Sequence, residues 1–534
     1  MISVDELIKR SNALYSAQQP MQSLWQVMAE HFYPERADFT RMVNIGEEFG
    51  SRLMDSYPVI VRRDLADSFA AMLRDGDDWF KVDVVSDGLS KLPYDARAWL
   101  QRATYGLRRL INQRRSGFMR ATKEGDHDFA TFGQCVISVE PTQDRRGIMF
   151  RCWHLRDMAW ADGYDGMIAQ THRKWMPYAY ELIDIFKDVH QSVRDMAKDR
   201  PMEEVKVRHI VMPSKMYGDS RFERFKNVSL FIDVTNSHLM EAVGIDYDYY
   251  VIPRATTIAG SQYAYSPATV AGLPSARTLQ AMTFTLLEAG ERLARPPMVA
   301  TAEVIRSDVN LDPDGITYVD KKYDEKTGAA LRPLYQDKGG FPYGLNMREG
   351  VMGMLASAFR LDKLALPDAG QMTAYEVSER MKQFRRENLP LFAPLETEYN
   401  GQLIEAAFQV AFKFGMLGAP MDLPTSLQGQ ETRFDFKSPL KDLEGETRVI
   451  QFQRAGELQM QAAQIDPSIV HDIDVRKAFR ETVESIDAPM HWLRDLKEVQ
   501  MRAEQQQAAM EAQAAAEQQG AAPAQATPVP ANAA

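Results

Sequence analysis

Two cysteines and two histidines fall within one short stretch of the chain: Cys135, Cys152, His154 and His172. Thiolates and imidazoles bind zinc or serve as nucleophile and base, so chemistry is sought there first. Neither pair has ligand spacing, and the surrounding residues read as strand, so ordinary sheet residues are the expectation. Asn310, Asp312, Asp314 and Gly315 open like a calcium loop, but Lys321 stands at the twelfth position, where a bidentate Glu is needed. A solvated turn is expected there. Asp162-Gly163-Tyr164-Asp165-Gly166 reads as a pair of turns. The phosphate loop G-x-x-x-x-G-K-[ST], the metalloprotease H-E-x-x-H and the hydrolase G-x-S-x-G are all missing. With 74 acidic residues, paired carboxylates arise by chance. No catalytic residue, metal site or cofactor is expected.

Composition bounds the rest. A chain of 534 residues holds about three to four domains' worth of structure. Its 45% hydrophobic and 10% aromatic content is enough for a large core, which excludes wholesale disorder. The formal net charge of −11 argues against broad gripping of nucleic acid, because such grip comes from Lys and Arg neutralising phosphates. Two cysteines make no disulfide framework. No run of about 18 apolar residues suggests a membrane span, and Met1 to Glu6 lack the pattern of a signal peptide. A soluble protein of a reducing compartment is expected.

The elements that would carry these residues are mostly helical. Ser3 and Glu6 form a capping box, with Leu7 and Leu14 on the apolar face that follows. A second helix carries Leu24, Trp25, Met28 and Phe32 and stops at Pro34; a third runs from about Val59 to Leu73. Cys135–Val139 and Ile148–Cys152 predict a hairpin, which Met167–Trp175 extends. One helix bearing Leu182, Phe186, Val189 and Val193 follows, then strands at Val205–Val211, Leu230–Val234 and Tyr249–Ile252. Ser275 is the expected cap of a helix with Leu279, Met282, Leu286, Ala289 and Leu293 on one seam. Pro296-Pro297 ends it. Met347 to Leu364 reads as a returning helix, with Val351, Leu355 and Phe359 on one face. Thr373 and Glu376 form another capping box, and Thr373→Ala should cost about 1 kcal/mol locally. That helix, kinked near Pro390 and Pro394, continues through Leu395, Tyr399 and Leu403 to Gly415. Thr432–Phe436 is a short strand, followed by more helix. Residues 501–534 hold 14 Ala and 7 Gln, so this tail cannot bury an apolar face and should fray. The fold class is α+β, mainly helical.

An ordered set of landmarks spans this framework. Trp25 precedes Tyr33-Pro34-Glu35-Arg36, Asp55-Ser56 and Trp79-Phe80. Later come Tyr263-Ala264-Tyr265-Ser266-Pro267, Leu273-Pro274, Pro296-Pro297, Thr373-Ala374-Tyr375-Glu376 and Ser438-Pro439-Leu440. To about residue 490 the chain resembles the portal proteins, or head-to-tail connectors, of short-tailed bacteriophages. It departs from their pattern at Ala264, where glycine is expected, and at Tyr57, where threonine is expected.

The resemblance implies a phage portal fold of wing, stem, clip and crown, assembled as a ring of about twelve identical subunits at one capsid vertex. By that likeness residues 1–265 are the wing, 266–300 the first stem helix, 301–345 the clip and 346–364 the second stem helix. Residues 365–372 would be the tunnel loop, 373–440 the long wing helix and return strand, 441–500 the crown and 501–534 a disordered tail. The implied partners are further copies of the chain, the terminase packaging motor, major capsid and scaffold proteins, and tail adaptors. Double-stranded DNA would pass through the channel without sequence reading, and no membrane is involved. The implied location is the virion vertex, after assembly in the bacterial host cytoplasm. Lys363 and Gln371, flanking the tunnel loop, are the candidates for touching phosphates, the alternative being solvated helix-end and loop residues. Trp25, Trp79 and Phe80 are expected core anchors.

Elementary physics agrees with this picture at three points. Two amphipathic helices around an insertion leave a second apolar face that neighbouring copies can cover, and such a head-to-tail contact closes into a ring when its rotation divides a full turn. The acidity keeps DNA from sticking to most of the surface. Sliding DNA calls for sparse backbone contacts and no base recognition. Two other readings compete: an internal core or scaffold protein of a virion, and a hydrolase built on the α+β body.

Overall fold

Ser3 accepts the Glu6 amide on its hydroxyl at 3.3 Å and opens α1 (Val4–Phe32), satisfying an amide the helix cannot reach itself. The chain described by this computed structural model comprises residues 1–44, 46–51, 53–74, 76, 78–85, 92–294, 298–300, 331–333, 340–361, 395–418, 422–436, 439–464, 473–485, 499, 501–502, 505–506 and 509. It divides into two compact units: Met1–Lys81 with Thr104–Met421, and Val82–Ala103 with Asp422–Ala534.

The sequence suggests two helices before Pro34, whereas the structure makes one of 29 residues that runs through Pro20. Pro20 faces solvent, so water can serve the carbonyl that its missing N–H leaves open. The helix also buries polar residues that an apolar count overlooks, namely Ser11, Tyr15 and Gln18. Tyr15 Oη lies 2.8 Å and 2.9 Å from the carbonyl oxygens of Asp157 and His172, and Gln18 Nε2 donates to the Met158 carbonyl at 2.8 Å. These bonds fasten α1 to the sheet. After it come α2 (Tyr57–Leu73), β1 (Phe80–Val84), α3 (Tyr94–Ile111) and α4 (Phe118–Phe132).

The expected hairpin is present as β2 (Val136–Pro141) antiparallel to β3 (Ile148–Trp153), with Val136 opposite Trp153. The strands β4 (Met158–Asp162), β5 (Ile168–Trp175), β6 (Val207–Pro213), β7 (Asn227–Asp233) and β8 (His238–Ile245) form an antiparallel meander in sequence order. Side chains alternate across it with period two. Ile210, Met212, Val228, Leu230 and Ile232 pack with Leu7 of α1 on one face.

On the other face Val207 and Met240 pack with Leu182, Phe186, Val189 and Val193. The sequence suggests one helix for those four residues. The structure has two, α5 (Ala179–Ile185) and α6 (Gln191–Asp199). Phe186 turns extended, at φ −110° and ψ 138°, and the His190 side chain caps the next helix by accepting the Ser192 amide. The break costs little because all four apolar side chains still reach one core.

A single turn, α7 (Ser214–Tyr217), buries Tyr217 against the α1 face, and β9 (Tyr250–Val251) completes a three-stranded sheet ordered β3-β2-β9. The short strands β10 (Thr256–Thr257) and β11 (Ala264–Tyr265) pair antiparallel. A π-helical turn at Ala268–Gly272 then runs into α8 (Leu273–Ala294). This start lies before Ser275, whose hydroxyl donates back to the Ala271 carbonyl at 3.4 Å instead of capping. Pro274 sits in the first turn, where a missing amide costs nothing. Beyond it β12 (Met298–Ala300) pairs antiparallel with β13 (Leu331–Pro333), and α9 (Gly340–Ala358) returns along α8. It ends earlier than expected, at a turn where Arg360 takes φ 56°. A second π-helical turn, Leu395–Gly401, leads into α10 (Gln402–Lys413), closed by Gly415 at φ 68°.

In the second unit β14 (Thr432–Phe436) pairs with β1, and the Val85 amide donates to the Glu431 carbonyl at 2.9 Å. Two helices follow, α11 (Pro439–Ala463) and α12 (Val475–Ser485).

Candidate functional site

Asp55, in the loop before α2, is where the paired helices are seated on the body. Ser56 makes no side-chain cap for α2, and Asp55 Oδ1 does that work by accepting the Tyr57 amide at 2.9 Å. Gln280 of α8 reads the same loop. Its Oε1 accepts the amides of Met54 and Asp55 at 2.7 Å and 3.0 Å, and its Nε2 donates to the Asp55 carbonyl at 2.6 Å. Asp55 Oδ2 takes Thr283 Oγ1 at 3.0 Å and two donors of Arg348 on α9, Nη2 at 2.6 Å and Nε at 3.1 Å. One carboxylate thus ties both helices to the loop. Burial pushes its pKa up, but the Tyr57 amide, Arg348 and Thr283 outweigh burial and hold it below the ordinary carboxylate value. The three partners lie 225 to 293 positions away in sequence, so only Asp55 is marked there.

Away from this anchor the pair is poorly covered. On α9, Val351 and Leu355 are buried, yet Tyr343, Met347 and Met354 share an exposed stripe a little under a quarter of a turn away. Gly350 lies on that stripe and Gly353 beside it; a Cβ added at either would meet nothing within 4 Å. On α8, Phe284 and Leu287 are exposed in the same way. Of the predicted seam of α8, Leu279 is buried, Met282, Leu286 and Ala289 are half-buried, and Leu293 is exposed. The helix pair therefore carries an apolar surface larger than the two helices cover for each other.

The body that carries the pair contains buried ionic groups. Arg74 pairs with Asp126 and donates to Asn400 Oδ1 at 3.1 Å. Tyr399 Oη donates to the Thr122 carbonyl at 3.3 Å, and only a glycine fits at position 125, since a Cβ there would lie 2.5 Å from the Tyr399 hydroxyl oxygen. Arg36 grips Asp128 with Nη2 at 2.8 Å and Nε at 3.2 Å. Nothing in the sequence patterns marks these pairs.

The landmark residues sit as follows. Trp25, Trp79 and Phe80 are buried; Trp25 packs against Phe39, Phe132 and Tyr263, and Trp79 stacks on Phe118. Pro34 opens a 3-10 turn, and Pro439 is the first residue of α11. Buried Ser266 donates to the Thr131 carbonyl at 2.6 Å, and Pro267 precedes the π-helical turn. Pro296, Pro297, Lys363, Gln371, Thr373 and Glu376 lie outside the described residues, as do most of the insertion and its Asn310–Lys321 loop.

The cysteine and histidine stretch forms no centre. His154 pairs with Asp38, Cys152 Sγ lies 3.9 Å from Asp128 Oδ2, and Cys135 is buried. Burial pushes both thiols well above their ordinary pKa, so neither is an activated nucleophile. Among the described residues no three metal-binding side chains stand together, and no helix is long and apolar enough to cross a membrane. The 162–166 segment is the β4–β5 turn, where the Gly163 amide donates to the Met167 carbonyl at 2.7 Å. The sequence does not foretell that Asp162 also pairs with Arg254 at 3.0 Å.

Residues 4–493 match the family described as bacteriophage head to tail connecting protein. A comparison with curated proteins finds no match. Similar solved structures include a chain from the virion of a native gene transfer agent particle, at 11% identity over 75% of this chain and 86% of that one, with a TM-score of 0.35. Others are the neck of the native particle computed with C12 symmetry (10% identity, 75% and 86%, TM-score 0.36) and the neck of the empty particle computed with C6 symmetry (11%, 75% and 87%, 0.37). This structural likeness is too slight to bear on mechanism.

Proposed function

We propose a function from one premise: this chain belongs to the bacteriophage head to tail connecting proteins. In our reading it is a non-enzymatic portal. Copies join side by side in a ring of about twelve at one capsid vertex, around a channel for genome packaging and ejection. The α8–α9 pair serves as stem and the segment between them as clip. Residues 1–265 with 373–440 form the wing, and 441–500 the crown. Lys363 and Gln371 beside the tunnel loop touch phosphates of duplex DNA. The clip receives the packaging motor and later the tail adaptors, and capsid and scaffold proteins surround the wing.

The observation that supports this most is the exposed apolar surface of Tyr343, Met347, Met354, Phe284 and Leu287 on helices firmly anchored through Asp55. An anchored helix pair cannot turn that face inward, and covering it with the same pair of a neighbour removes it from water. The bare Gly350 and Gly353 permit close approach of another backbone. Gel filtration and negative-stain imaging of the purified full chain test the reading. Annular particles are expected, and Met347→Glu with Met354→Glu should yield folded monomers, because both positions are exposed in the single chain. A wild-type protein that stays monomeric at high concentration, with no annulus, would refute it.

A further inference from the structure

Where α1 crosses the five-stranded sheet, two cations stand side by side with no acid paired to either. Lys174 on β5 is directly opposite Arg208 on β6 in the register. Like charges in that position repel one another. Both are half-buried against one aromatic ring: Lys174 Nζ is 3.8 Å and Arg208 Cζ 5.3 Å from the centroid of Tyr15. Neighbouring basic residues are satisfied. Arg10 pairs with Glu6, and Arg156 with Asp38 and Asp157. Among the described residues neither the Lys174 nor the Arg208 side chain makes an ion pair or hydrogen bond, and Arg208 Nε is buried without a partner. Asp157, the acid that acts on both, is already engaged by Arg156.

A second observation points the same way. His172, on the same face of β5 as Lys174, is fully buried and both its ring nitrogens lack a hydrogen-bond partner. A buried imidazole left unpaired is costly, as is an unpaired half-buried cation pair. A buried Arg208 Nε and a buried imidazole without partners under one helix, beside two cations that no acid neutralises, are what an anion arriving from outside would satisfy.

We propose that Lys174 and Arg208, with His172 two residues along the same face of β5, form a binding site for a phosphate-type oxyanion. Two cationic donor groups and a neutral N–H suit a tetrahedral oxyanion, which spreads negative charge over several acceptor oxygens. The Tyr15 hydroxyl takes no part, since it is committed to the carbonyls of Asp157 and His172. The site is independent of the α8–α9 surface and stands or falls without the ring.

The test compares the full chain in sodium chloride and in sodium phosphate at equal ionic strength. Phosphate should raise the melting midpoint saturably and broaden its own phosphorus resonance. Lys174→Met with Arg208→Met keeps the stems against Tyr15 and should lose both effects while melting no lower in chloride. Lys174→Met alone should weaken phosphate binding at least about tenfold, a loss of about 1.4 kcal/mol. Arg120→Met, on the exposed side of α4, should retain both effects. Binding of a short duplex then identifies the source. Occupation by a DNA phosphate lowers the salt slope of the double variant by about 1, and an unchanged slope assigns the site to free phosphate. Equal phosphate effects in wild type and double variant, or none in either, would overturn the proposal.

Discussion

Replacing Asp55 should loosen the α8–α9 pair from the body without dissolving the rest of the fold. Asp55→Ala removes the acceptor of Thr283, of two Arg348 donors and of the Tyr57 amide at once. Breaking a buried ion pair costs about 3–5 kcal/mol. Arg348 is 30% exposed and regains water when released, which places the loss near the lower end, about 3 kcal/mol. Asp55→Asn retains the shape and the Tyr57 bond but not the charge, and should cost about 1.5 kcal/mol. In a cycle with Arg348→Met the two changes should fall short of additivity by about 1–2 kcal/mol. The carboxyl titrates below its unfolded value, so its contribution is complete above about pH 4 and is lost as pH falls through the folded pKa. Urea unfolding gives the totals, and hydrogen exchange along α8 and α9 gives the location. Additivity within about 0.5 kcal/mol, or unchanged exchange in both helices, would refute the idea that this carboxylate holds the pair.

Two further perturbations reach other parts of the body. Burial holds His172 neutral, with its pKa pushed down to about 3, so the unfolded chain binds the proton first and stability drains as pH falls from about 6.5 toward that value. The slope for one such group is about 1.4 kcal/mol per pH unit, and in chloride buffer His172→Leu should remove it from the pH dependence of urea midpoints; an unchanged profile would count against the assignment. Gly133 closes α4 at φ 77°, and a Cβ there would sit 2.5 Å from the Tyr265 carbonyl carbon. Gly133→Ala should therefore cost more than the usual 1 kcal/mol or so of a left-handed alanine, read as a lowered melting midpoint.

Much of the architecture was already legible along the chain, because periodicity and caps are local properties. The Ser3–Glu6 start, the β2–β3 hairpin, the strand Thr432–Phe436 and the helix pair flanking an insertion all follow from neighbouring residues. The errors fall where tertiary packing overrides a local signal. Pro20 does not end α1, since the Ser16 carbonyl that its missing N–H leaves open meets solvent, and Trp25, Met28 and Phe32 hold the helix beyond it in the core. One apolar face at 182–193 became two helices, since two segments bury the same side chains against the sheet as well as one would.

Sequence alone thus determined the fold class and the membership in a family, both of which rest on residue types in order along the chain. Tertiary structure decided what those residues do. Asp55 is an ordinary acid until Gln280, Thr283 and Arg348 arrive from hundreds of positions away. Likewise Lys174 and Arg208 become a pair only when β5 and β6 align in register. Charge interactions and hydrogen bonds depend on distances in space, and a linear order of residues carries no record of those distances until the chain has packed.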